Sequence, residues 1–204
     1  MKNYTHDYRD YNTVSYKIMD EKGSLDNFKD ELARDLSKAE IKEHGKTTEQ
    51  LAKYCHGKNV YYPITIYENG IPICFMENYT KVFAVRILDE RLFWYVDMGY
   101  KKDTDGRMFL YEIWIREYMH KEATMLHDLK GDQHFEFTTK GGLKITTETI
   151  IREGETKIER TIEEAKKPIN VSKNWQKIPE FGDYYYLADY KNIIKAGDFL
   201  KEIK

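Results

Sequence analysis

Three histidines, His120, His127 and His134, follow one another at seven-residue steps, with Asp128 and Asp132 close by. Imidazole and carboxylate together suit a zinc- or iron-type ion. If His120 and His127 share a helix, two turns separate them by about 10.5 Å of rise, too far for both to reach one ion easily. His134 lies beyond Gly131, in a stretch that reads as strand. A compact site would need a bend inside this segment, so the expectation is scattered polar residues and no metal.

Asp103-Thr104-Asp105-Gly106 has the spacing of the middle of a calcium loop, with Glu112 at the offset of its last ligand. Lys101 stands where the first carboxylate is required, and the flanks read as strands. A hairpin turn is the expectation.

Glu112 is the best acid–base candidate. It shares a strand pattern with Trp114 and Arg116, and Trp94 lies on the preceding one. A carboxylate among aromatic rings gains a raised pKa and can donate a proton. The plainer reading pairs it with Arg86 or Arg116 as a structural ion pair. Trp94, Glu112 and Trp114 are thus the candidate pocket of a small-molecule-binding or hydrolytic domain. No GxSxG, HExxH, P-loop or GxGxxG accompanies them, so no catalytic residue or cofactor is assigned.

A binding surface is the competing chemistry. Tyr and Trp are favoured in interface cores and hot spots, and the chain holds 17 tyrosines. Three of them, Tyr184-Tyr185-Tyr186, stand between Asp183 and Asp189, and all three cannot face one side of a helix. The candidate partner-binding residues are Trp175, Asp183, Tyr184 and Tyr185. A strand face carrying Lys157, Glu159 and Glu163 is the second choice.

The elements that must position these residues follow from periodicity. Gly23-Ser24 opens a helix with Ser24 as N-cap, whose apolar stripe Leu25, Phe28, Leu32, Leu36 and Ala39 runs toward Gly45. Thr47 with Gln50 caps a second helix ending at Gly57. From Val60 the period becomes two, with Asn69-Gly70 as a type I′ hairpin turn and further turns at Asp89-Glu90, Asp103–Gly106 and Lys140-Gly141-Gly142. Pro168 to Gly182 is an irregular connection, and 183–199 has the spacing of a closing helix.

The fold class expected is α+β, with N-terminal helices packed on a mainly antiparallel β-meander and a C-terminal closing helix. A single domain over 1–204 is expected, divided into a helical part (1–58), the meander (59–165) and the connection with its helix (166–204).

Composition bounds the function. Lysine plus arginine number 33 against 35 acids, a net charge of −2, which lacks the basic excess of nucleic-acid binders and of membrane-surface proteins. Two cysteines without CxxC spacing read as buried thiols of a reducing compartment. The first residues form no apolar leader, so a cytoplasmic location is expected. Small motif-free α+β domains of this size include many inhibitors, immunity proteins among them. The leading expectation is therefore a non-enzymatic module that neutralises or sequesters a protein partner. Self-association through an edge strand such as Val14–Ile18 is a further expectation.

Overall fold

The computed structural model describes residues 3–13, 15–119, 128–152 and 156–188. These form two compact units, one from residues 3–93 and 178–188 and the other from residues 94–177. Both are built mainly of antiparallel strands, with few helices, a mixed α+β class.

In the first unit, β1 (Tyr4–Asp7), β4 (Tyr62–Glu68), β5 (Ile71–Asn78) and β6 (Val82–Leu88) pair antiparallel in that order. β2 (Tyr11–Asn12) and β3 (Lys17–Ile18) make a separate two-residue ladder. Of the strand expected at Val14–Ile18, Val14 lies outside the described residues and Lys17–Ile18 is strand, while Tyr4–Asp7 pairs with β4. Asn69 and Gly70 both have positive φ, as a type I′ turn requires. Two prolines sit where the ladders end. Pro63 lies past the end of β1's pairing with β4, and Pro72 lies opposite the bulge at Ile66/Tyr67 and outside the β5–β6 register.

The helices correct the sequence reading in one place. The long helix predicted from Ser24 is broken into α1 (Glu21–Leu32) and α2 (Lys38–His44). Asp20 is the true N-cap, accepting from Gly23 N–H at 2.7 Å, whereas Ser24 is buried and accepts the Asp10 N–H at 3.0 Å. Ser37 and Glu40 form a reciprocal capping box, which gives the chain a new helix start inside the apolar stripe. The stripe is buried at Phe28, Leu32 and Leu36 and ends at the break, since Ala39 is exposed and α2 buries none of its residues. Each such side chain stabilises the fold by roughly 1.5–3 kcal/mol. α3 (Thr48–Lys58) starts after its N-cap Thr47 as predicted and ends on Asn59 in the left-handed region, two residues past Gly57. Cys55 and Cys74 are free and buried, and burial pushes the Cys55 thiol up to about 12.

In the second unit, β7 (Trp94–Lys102), β8 (Arg107–Tyr118), β9 (Leu129–Phe137), β10 (Leu143–Ile151) and β11 (Lys157–Glu164) pair antiparallel in chain order. Ile113, Phe135 and Ile145 lie in one row across β8, β9 and β10 and are buried, which marks the core side. The chain then returns along β8. Asn174 Nδ2–H donates to the Leu110 carbonyl at 3.0 Å, and β12 (Trp175–Lys177) pairs with Arg107–Phe109. Gly141, at φ +87°, permits that return, because a Cβ there would stand 2.6 Å from the Ile169 carbonyl oxygen.

The closing helix is described only as α4 (Tyr185–Ala188), and the rest of its predicted span lies outside the described residues. No helix among the described residues is long and apolar enough to cross a membrane.

Candidate functional site

The antiparallel register of the second unit aligns residues that are far apart in sequence. Arg116 of β8 stands opposite Asp132 of β9, Asp132 opposite Glu148 of β10, and Glu148 opposite Arg160 of β11. The result is a row of charges, plus, minus, minus, plus, on one side of the sheet. Two residues along each strand, Trp114, His134, Thr146 and Ile162 form the next row on the same side, opposite to the buried Ile113–Phe135–Ile145 row.

These rows interlock. The His134 ring lies flat on Trp114, with centroids 3.8 Å apart, and its Nε2 is 3.4 Å from Glu112 Oε2. The Arg116 guanidinium sits 5.9 Å from the Trp114 centroid and 5.8 Å from that of Trp94. Both distances fall in the cation–π range. The three residues proposed as a pocket, Trp94, Glu112 and Trp114, are therefore joined by Arg116 and His134. All five are half-buried.

The charges of this cluster are unevenly satisfied. Arg160 holds Glu148 at 2.5–2.7 Å. Arg116 Nη1 and Asp132 Oδ1 are buried, and each lacks a hydrogen-bond partner. Burial raises the Asp132 carboxyl above the usual carboxylate range, and the facing Glu148 adds to the rise. A buried polar atom without a partner costs about 1–3 kcal/mol, so this spot is locally destabilised. A concavity of about 560 Å³ has Arg116, Asp132 and Glu148 in its lining, with Ile115, Gln133 and Thr147.

The tyrosines of residues 184–186 behave differently. Tyr184, expected at a partner surface, is instead 0% exposed, and its ring packs edge-on to His6 and Tyr8. Tyr185 is half-buried, its hydroxyl 2.6 Å from His6 Nδ1 and its ring stacked on Tyr4 at 5.8 Å. Phe181 stacks on Tyr8 at 5.0 Å. The cluster fastens residues 181–185 to β1, and burial lowers the His6 pKa in spite of nearby Asp7 and Glu49. Asp183 is exposed. Trp175 belongs to the other unit, where its ring meets Phe109 at 5.0 Å and lies under the Arg107 guanidinium at 4.6 Å. The four residues expected to form one surface are thus divided between the two units.

β11 is the other expected surface. All eight of its residues are exposed, Lys157, Glu159 and Glu163 among them. Ile158 and Ile162 are 57% and 56% exposed.

The metal reading gains no residue set. Among the described residues no group of three or more His, Cys, Asp or Glu side chains is placed to hold an ion. His120 and His127 lie outside the described residues, and His134 is engaged with Trp114 and Glu112. The Asp103 carboxylate is occupied by its own turn, accepting N–H groups of Asp105 and Arg107 at 2.9 Å each. Arg86, one of the partners expected for Glu112, is taken by Glu77.

Sequence reasoning missed Asp132, Glu148 and Arg160 as a set. The signal was only the alternation of charge with apolar residues in three strands, and the register that aligns them depends on the turns between. Compared with protein-family models, curated proteins and solved structures, the chain matches none of them.

Proposed function

We propose that this chain is a cytoplasmic, non-enzymatic protein-binding module that sequesters a protein partner, with its N-terminal helices shielding the first unit's sheet. The docking face is the Trp94–Trp114–Arg116–His134 side of the second unit. One observation carries this reading: the Arg116 guanidinium lies 5.8 and 5.9 Å from two tryptophan rings with Nη1 buried and unbonded, and Asp132, opposite it in the strand register, has an equally unbonded oxygen. Swinging that guanidinium outward forfeits no Nη1 hydrogen bond. A partner carboxylate can therefore capture it in a charge-assisted pair while the half-buried indoles it uncovers take up apolar contact. Tryptophan and arginine are the side chains that dominate interface hot spots.

The test is capture from host lysate with the wild-type chain, Trp114→Ala and Arg116→Ala side by side. A stoichiometric protein retained by the wild type should be lost or weakened at least about fivefold in both variants, a hot-spot loss of about 1 kcal/mol or more. Equal retention by all three would remove this face from consideration.

A second reading, of a small-molecule-binding or hydrolytic domain, rests on the His134–Glu112 pair against Trp114. A histidine beside a carboxylate is a proton-transfer pair when a substrate comes within reach. A ligand there would raise the unfolding temperature of the wild type and not of His134→Ala.

A further inference from the structure

β11 ends its sheet. It pairs with β10 on one side, and among the described residues no strand pairs with the other. Such an edge offers a row of unpaired N–H and C=O groups to any passing strand, and natural edges are usually defended by charge, proline or a bulge. β11 has neither proline nor a recorded register shift, and its sequence is Lys-Ile-Glu-Arg-Thr-Ile-Glu-Glu. Its only defence is charge, and that charge has a direction.

A second copy approaching this edge across a two-fold axis runs antiparallel. The outward backbone groups recur at every second residue, so residue i must face a residue of the same parity in the other copy. Three central registers satisfy this. In one, Glu159 faces its own counterpart and Ile158 faces Arg160. In another, Glu159 faces Glu163 and Ile158 faces Glu164. Both oppose like charges and set isoleucine against charge. The third, centred on Arg160, sets Lys157 opposite Glu163 twice, Ile158 opposite Ile162 twice, and Glu159 opposite Thr161 twice. Arg160 faces its counterpart there, but each is already neutralised by its own Glu148. The intrastrand contact of Lys157 with Glu159, at 3.1 Å on an exposed face, is weak competition.

We propose that β11 is a self-recognition edge, pairing antiparallel with β11 of a second copy about Arg160 to make one continuous sheet across the dimer. The same charges that turn away foreign strands are complementary only to this one. Ile158, Arg160 and Ile162 share the side of the sheet that carries Trp114 and Arg116, so the dimer presents that face twice. The inference stands on the strand edge alone and does not depend on the docking face above.

Sedimentation equilibrium on the full chain tests it, with Lys157→Glu, Glu163→Lys, and an equimolar mixture of the two. Both residues are exposed, so neither change threatens the fold. The wild type should be dimeric. Each single variant should dissociate at least about tenfold more readily, because two attractive cross-strand pairs become repulsive. Mixing them should restore dimers, since one copy then offers two glutamates at 157 and 163 and the other two lysines. A monomeric wild type overturns the proposal, as do single variants that dimerise like the wild type or a mixture that stays monomeric.

Discussion

The two units treat their aromatic and charged groups in opposite ways. In the first, Tyr8, Tyr184, Tyr185 and Phe181 close around His6, and the ring nitrogen of that histidine is met by a tyrosine hydroxyl. In the second, Trp114, Arg116 and Asp132 are held half-exposed, with hydrogen-bonding atoms left over. A tyrosine-rich patch and a tryptophan–arginine patch look equally like binding surfaces on paper. Each holds buried atoms without a hydrogen-bond partner, the Tyr184 hydroxyl in the first and Arg116 Nη1 with Asp132 Oδ1 in the second. Tyr184 is fully enclosed, whereas Arg116 and Asp132 are half-exposed side chains that can turn to a partner. The lesson is to ask whether a patch's unbonded polar atoms sit on side chains that reach the surface, because a fully enclosed cluster is a joint.

The comparison breaks most directly by truncation. Tyr184→Ala should cost the first unit about 3–5 kcal/mol, the range for emptying a buried aromatic site, read as a shift in urea midpoint. Trp114→Ala should cost distinctly less stability, since its indole is half-exposed, while abolishing partner capture. If Trp114→Ala proved the more destabilising of the two, the second unit's face would be a joint as well.

A finer test uses acid, where the two units should move in opposite senses. Burial holds the His6 pKa below its unfolded value near 6.5, so the unfolded chain binds the extra proton first. Stability from His6 is present above that value and is lost as pH falls below it. Asp132 is the reverse. Its carboxyl is raised in the fold, so its ionised form is a cost at neutral pH that fades as the pH drops into the carboxylate range. Asp132→Asn should therefore raise the unfolding temperature at pH 7 and give no gain near pH 4. His6→Gln should flatten the loss of stability between about pH 6.5 and 5. Parallel pH profiles for wild type and both variants would undo the contrast.

Much of the fold was legible because turns announce themselves. Asn69-Gly70 and Asp103–Gly106 close hairpins where expected, each with the positive φ that asparagine and glycine tolerate. The break between α1 and α2 was also written, as Ser37 three residues before Glu40, but the continuing apolar stripe masked it. The candidate site was half legible. Trp94, Glu112 and Trp114 were read from neighbouring strands, whereas His134 was grouped with His120 and His127 by spacing along the chain. Its true neighbour is Trp114, set by the β8–β9 register. Period-two alternation tells which side of a strand a residue occupies and says nothing of which residue lies across from it.

The placement of two rare residue types equips this protein with its own instrumentation. Both cysteines, buried and reluctant to ionise, fall in the first unit, and all three tryptophans fall in the second. Thiol reactivity with a colorimetric disulfide thus watches one unit come apart, and indole emission watches the other, in the same unlabelled sample. Coincident curves would make the chain a single cooperative folder, and separated ones would give each unit its own melting temperature without a mutation being made.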